Sequence, residues 1–260
     1  MITSAANPRV KWLRGLQKKK ERDEAGQFLL EGPHLVEEAI RSGIALRFVA
    51  VDVQREGALA PLLERAQAMD IEVVGVSPEV MGGLSDTHTP QGIVAAASLV
   101  SKPWAGVGDA GFLAVLDDVQ DPGNVGAILR SADAAGCDGV VLSGACADAH
   151  NPKTVRAAMG SLFHLPVWVT GDLPGVLSSL SQLGWDTVCG HLEGEDFFAW
   201  EPEGPVACVV GNEGAGISLG VKQACSQACR LPMAGKAESL NAAVAAGIML
   251  YHTGRKLKRL

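Results

Sequence analysis

The stretch Phe112-Leu113-Ala114-Val115-Leu116-Asp117-Asp118-Val119-Gln120-Asp121-Pro122-Gly123-Asn124-Val125-Gly126-Ala127-Ile128-Leu129-Arg130 changes character twice within nineteen residues. Five apolar residues predict a buried strand. Two carboxylates end it, and Asp121-Pro122 predicts the cap and first position of a helix over 122–135. A strand feeding a helix through a short loop is the repeating unit of a parallel α/β sheet, whose carboxyl-end loops carry function. Side chains on a helix lean toward its N-terminus, so Arg130 reaches back over Gly126 to the mouth of its own helix. A cation there can meet a phosphate or a reacting hydroxyl. Position alone slightly favours a plainer alternative, an exposed ion pair with Asp133.

The pattern continues toward the C-terminus. Strands are expected over 139–142, 165–169, 187–189 and 206–210, with helices over 152–159, 173–183 and 240–256. Two more loops stand out. Val209-Val210-Gly211-Asn212-Glu213-Gly214-Ala215-Gly216-Ile217 places three glycines around one carboxylate after an apolar strand, and glycine lets a ligand approach the backbone closely. The phosphate-loop Lys-Ser/Thr pair and the dinucleotide fingerprint are both missing. Leu231-Pro232-Met233-Ala234-Gly235-Lys236-Ala237-Glu238-Ser239-Leu240-Asn241 leads into an alanine-rich helix, with Ser239 as its expected N-cap.

Toward the N-terminus, strands over 28–30, 47–51, 71–76 and 92–99 alternate with helices over 7–20, 33–41 and 59–69, a second and smaller α/β unit. Pro, Gly and Ser cluster over 100–108, so the chain is divided into a domain over 1–100, a linker over 101–110 and a domain over 111–260. At 260 residues, 47% apolar and 20% charged, the composition is that of an ordinary soluble protein. No apolar run spans a bilayer and the start lacks a secretory pattern, so a cytoplasmic location is expected. Six scattered cysteines fit that compartment; they complete no zinc site, and no metal is expected. The net charge of −7 is uneven: residues 1–26 hold seven basic and three acidic side chains, a net of +4, which leaves −11 for the rest. Local charge decides whether phosphate docks, although on charge alone a solvated helix face is the better reading.

Taken together the three C-terminal loops resemble the signature motifs of the SpoU (TrmH) branch of the SPOUT methyltransferases. Asn124, Gly126 and Arg130 match Asn-x-Gly-x-x-x-Arg. Gly211, Glu213 and Gly216 match Gly-x-Glu-x-x-Gly. Pro232, Met233 and Gly235, followed by Ser239, Leu240 and Asn241, match Pro-Met-x-Gly with Ser-Leu-Asn. Ala242-Ala243 departs mildly from the Val-Ser often found there. The segments over 30–39 and 89–93 look like the L30e-like substrate-binding domain fused to many such enzymes, including rRNA methyltransferases of the thiostrepton-resistance type.

The resemblance implies a C-terminal parallel sheet tied in a trefoil knot plus a smaller N-terminal L30e-like α/β domain. It also implies S-adenosyl-L-methionine as cofactor, a homodimer formed through the C-terminal domain, and 2′-O-methylation of a ribose in RNA, ribosomal RNA first. It carries over catalytic or positioning roles to Asn124, Arg130, Glu213, Ser239 and Asn241, and cofactor contacts to Gly190, Gly211, Leu231, Met233 and Leu240. RNA capture is assigned to Arg9, Lys11, Arg14, Lys18, Lys19 and Lys20. For Arg130 two roles stay open: the base that the resemblance implies, or a positioning cation, because arginine stays protonated across the accessible pH range. Four rivals remain: a tRNA 2′-O-methyltransferase, an RNA methyltransferase acting on a base nitrogen, a non-catalytic RNA-binding protein and a nucleotide-dependent small-molecule enzyme.

Overall fold

The computed structural model describes residues 1–85, 87, 89–106 and 111–260. Part of the expected linker, residues 107–110, lies outside them. The chain forms two compact units, the first comprising residues 1–99 and 150–163, the second residues 100–149 and 164–260.

The first unit opens with α1 (Pro8–Gly15) and α2 (Lys19–Ala25). The sequence predicts one helix over 7–20; the structure has two. The break is held by Arg22, only 2% exposed, whose guanidinium donates to the Leu16 and Gln17 carbonyls at 3.0 and 2.9 Å. Those carbonyls would otherwise lack partners at the end of α1. Then come β1 (Gln27–Glu31), α3 (Pro33–Arg41), β2 (Leu46–Asp52), α4 (Glu56–Ala68), β3 (Glu72–Val76), α5 (Pro78–Leu84) and β4 (Ile93–Ser98). The helix α5, capped by Ser77, is too short for periodicity to reveal it. The sheet order is β1-β4-β2-β3, antiparallel except for β2 with β3.

In the second unit β5 (Lys102–Pro103) adds an edge to β8 (Val167–Thr170) from within the expected linker, and Trp104 packs edge-on against Trp168. There follow β6 (Phe112–Leu116), α6 (Pro122–Ala134) and β7 (Gly139–Ser143). The next helix, α7 (Pro152–Ala158), belongs to the first unit. The chain then continues through β8 (Val167–Thr170), α8 (Leu173–Gln182), β9 (Asp186–Asp196), β10 (Val206–Val210), α9 (Leu219–Ala224), β11 (Gln227–Arg230) and α10 (Ala242–Lys256). All seven strands are parallel, in the order β11-β9-β10-β6-β7-β8-β5. Leu113, Val115, Val141, Ala207 and Val209 pack on one face with Leu177 and Leu180 of α8 and Val221 of α9. The alternate residues face α6 and α10, where Cys208 touches Thr253.

Two expectations are corrected here. The strand expected over 187–189 runs through eleven residues, because β11 pairs along its polar second half. The final helix is capped by Asn241, not Ser239: the Asn241 Oδ1 accepts from the amides of Ala243 and Val244 at 2.9 and 3.3 Å.

Candidate active site

From β6 the chain goes to β7 on one side, while β10 flanks β6 on the other. The loops after β6 and β10 therefore diverge at the carboxyl edge of the sheet, the place where open α/β sheets bind ligands. These are the two loops marked by Asn124 and Glu213.

Glu213 accepts from the backbone amides of Gln120 and Asp121, each at 3.1 Å, and from Asn124 Nδ2 at 2.9 Å. Asn124 Oδ1 in turn accepts from Asn241 Nδ2 at 3.1 Å. One asparagine at the start of α6 thus joins two loops that lie 89 and 117 residues further along the chain. Burial raises the Glu213 carboxyl, but the hydrogen bonds from Asn124, Asp121 and Gln120 outweigh it, and the pKa is lowered. Within the chain this carboxylate holds the entrance to α6.

Arg130 is exposed on α6 and forms no hydrogen bond or ion pair among the described residues. The plainer pairing with Asp133 is absent: Asp133 bonds His164 at 2.8 Å. A guanidinium without a carboxylate partner is free to engage an anion or a sugar hydroxyl.

Three residues that sequence reasoning passed over hold the loops. Asp117, 3% exposed, accepts from the Ser218 amide at 2.7 Å. Asp118 sits at φ 57° and is fixed there by its amide and carboxylate bonds to the Ser143 hydroxyl. Asn212 donates to the Asp118 carbonyl at 2.8 Å and accepts from the amides of Gly214 and Ala215. An Asn beside glycines is a turn signal, and the Asp pair at a strand end was the other available hint.

At the expected cofactor contacts, Gly211 lies so close to the next turn that a Cβ would fall 2.5 Å from the Gly216 carbonyl. On β9, a Cβ at Gly190 would fall 3.3 Å from Met249 Sδ. Residues 231–240 form an irregular segment, with no backbone–backbone hydrogen bond among the described residues. Its amides and carbonyls are available, and Met233 and Leu240, each 36% exposed, add apolar surface. Available backbone donors and acceptors beside apolar side chains are what a flat heteroaromatic base asks for; the segment fits an adenosyl group. Ser239 is exposed and makes no hydrogen bond among the described residues. No group of three or more His, Cys, Asp or Glu among them is arranged to hold a metal ion.

The residues expected to capture RNA lie on the first unit. Arg9 pairs with Glu72, Lys19 with Asp23 and Lys20 with Glu24, while Arg14 donates to the Gly83 carbonyl at 3.0 Å. Lys11 and Lys18 are exposed and without partners among the described residues.

Comparison with known proteins gives this architecture a family. Residues 111–251 match the model of the SpoU rRNA Methylase family, and residues 7–95 match the MRM3-like substrate binding domain. The chain is 39% identical to the 23S rRNA (guanosine(2553)-2′-O)-methyltransferase of Bacillus subtilis (strain 168), covering 96% of this chain and 98% of that protein. It is 32% identical to the 23S rRNA (uridine(2479)-2′-O)-methyltransferase of Streptomyces viridochromogenes, covering 98% and 92%. Among solved structures, the AdoMet-bound rRNA methyltransferase from Sinorhizobium meliloti superposes with a TM-score of 0.85 at 32% identity, covering 98% of this chain and 97% of that one. The SpoU methyltransferase AviRb from Streptomyces viridochromogenes, in complex with AdoMet, gives a TM-score of 0.85 at 30% identity, covering 97% and 98%. With both its sheet-edge loops and its whole length matched in this way, the chain belongs to the SpoU rRNA methylase family.

Proposed function

We propose that this protein is an S-adenosyl-L-methionine-dependent RNA methyltransferase that methylates a ribose 2′-hydroxyl of ribosomal RNA. The observation that carries the reading is the bridge from Glu213 through Asn124 to Asn241, which gathers three loops around the free guanidinium-bearing helix α6. The 2′-O-methyltransferase names and AdoMet-bound structures of its relatives support the same chemistry.

When bound, the cofactor supplies an electrophilic methyl on a sulfonium. Gly190, Gly211, Leu231, Met233 and Leu240 would hold it, with backbone amides and carbonyls of 231–240 reading the adenine. Methyl transfer is an in-line displacement, so alignment supplies much of the rate. Asn124 and Arg130 orient the sugar, and Glu213 and Asn241 fix Asn124. Arg130 acts as a cation that holds a phosphate or the hydroxyl oxygen, because a guanidinium does not readily surrender its proton. A phosphate oxygen or water then takes the hydroxyl proton. Ser239, exposed and without a hydrogen bond among the described residues, would offer its hydroxyl to the cofactor pocket.

The protein works as a homodimer through its C-terminal, trefoil-knotted domain; exposed Val244 and Tyr251, seven residues apart on α10, support such a contact. The six free cysteines support a reducing, cytoplasmic setting. No helix among the described residues is long and apolar enough to cross a membrane.

The test is direct. The protein is incubated with methyl-labelled cofactor and ribosomal RNA, and the RNA is digested to nucleosides. A labelled 2′-O-methylnucleoside is expected; label on a base, or none on RNA, overturns the reading. Arg130→Ala should lower transfer at least a hundredfold, as removal of a catalytic electrostatic contact does elsewhere, with cofactor affinity by calorimetry nearly unchanged.

A further inference from the structure

The first unit carries a feature that basic residues alone do not explain. Strand β2 slips register against β4 between Leu46 and Phe48, so Arg47 is an extra residue at a bulge. Bulges re-aim side chains and recur beside functional sites. The Arg47 guanidinium lies over the Trp12 indole, 4.7 Å from the ring centroid. Trp12 packs in turn against Phe48, ring centroids 5.8 Å apart. Arg9 also lies beside Phe48, at 5.9 Å, but Glu72 neutralises it. Arg47 is exposed and has no carboxylate partner among the described residues. These side chains line an open groove of about 410 Å³ together with Pro8.

We infer that Trp12 and Arg47 form a stacking site for one unpaired nucleotide of the RNA substrate. The inference rests on the RNA-methyltransferase reading above and adds to it the ligand class of this site. A guanidinium held on an indole is a pre-set cationic plane, on which an unstacked base can lie. Its unpaired N–H groups remain available to the flanking phosphate. A second depression beside Trp12, of about 250 Å³, is lined by Glu21 and by Glu24, which pairs with Lys20. The unpaired charge of Arg47 places the backbone of the nucleotide on the Arg47 side. A paired base has no free face to offer, so the site selects single strands.

The probe is a fluorescein-labelled oligouridylate, alone or annealed to oligoadenylate, titrated with the full chain. Trp12→Leu keeps apolar bulk and removes the π face; Arg47→Gln alters an exposed position outside the core. Each should weaken single-strand binding roughly tenfold, the scale of one lost base stack; duplex binding should be unchanged in Trp12→Leu and fall by less than single-strand binding in Arg47→Gln. Tryptophan emission should fall on titration of the unlabelled single strand with the wild type and with Arg47→Gln at higher concentration, but not with Trp12→Leu. Wild-type affinity in both variants, equal losses on duplex, or no single-strand binding by the wild type would each overturn the inference. The two ideas separate cleanly. If the wild type methylates ribosomal RNA and the variants bind oligouridylate normally, only the stacking site falls. If oligouridylate binding depends on Trp12 but no 2′-O-methylnucleoside forms, the enzymatic reading falls.

Discussion

Glu213 shows how much of the site rests on single side chains. Its carboxylate collects two donors from the loop before α6 and a third from Asn124 in the first turn of that helix, and its pKa is lowered by them. A carboxyl whose folded pKa lies below the unfolded value of about 4.3 gives full stabilisation above that value and loses it as pH falls through the folded one. Amide exchange at Gln120 and Asp121, corrected for intrinsic rate, should therefore lose protection in acid. Glu213→Gln should remove that acid dependence and lower protection at neutral pH by roughly threefold to tenfold, a charge-assisted bond discounted for solvent exposure. Unchanged exchange at both amides in the variant would show that the carboxylate does not hold this loop. The sequence makes Glu213 visible as a lone carboxylate among glycines. It does not reveal the partners, because hydrogen bonds across ninety residues leave no periodic trace. Asp117, Asp118 and Asn212 stay hidden for the same reason: Asp117 and Asn212 act on distant backbone groups, and Asp118 on the hydroxyl of Ser143 twenty-five residues away.

At the scale of elements, regular pieces with strong apolar patterns were legible, and ends set by capping or by a distant partner were not. Strands β6 and β10 and helix α3 run where their apolar runs and prolines indicate. The start of α10 is ambiguous in the sequence because Ser239 and Asn241 are both good caps, and only the fold decides that Asn241 takes the role. The choice has a consequence, since Asn241 spends its oxygen on the helix and its amide nitrogen on Asn124. The two jobs can be separated. Asn241→Ser keeps a capping oxygen and loses the donor, so thermal stability should stay within a few tenths of a kcal/mol while methyl transfer falls about tenfold. Asn241→Ala loses both and should cost about 1 kcal/mol more. Equal transfer by the Ser variant and the wild type would mean that the Asn124 bridge does not matter to the chemistry.

For the whole molecule, the two family matches, residues 7–95 and 111–251, lie on either side of the Pro, Gly and Ser cluster over 100–108. Packing adds what composition cannot carry, because residues 150–163 join the first unit. Phe28, fully buried on β1, lies against His150 and Phe163 at ring separations of 4.7 and 6.4 Å, and Arg156 reaches Glu31 at 3.5 Å. Leu162, 1% exposed, is buried in this same segment. Its removal should therefore be felt in the first sheet rather than the second. Leu162→Ala leaves a cavity that costs about 2–5 kcal/mol, and native-state amide exchange assigns that cost to the strands that open together. Protection should fall in β1 and β4 and persist in β6 and β10. If β6 and β10 lose protection instead, Leu162 belongs energetically to the methyltransferase sheet, and the first unit is complete without it.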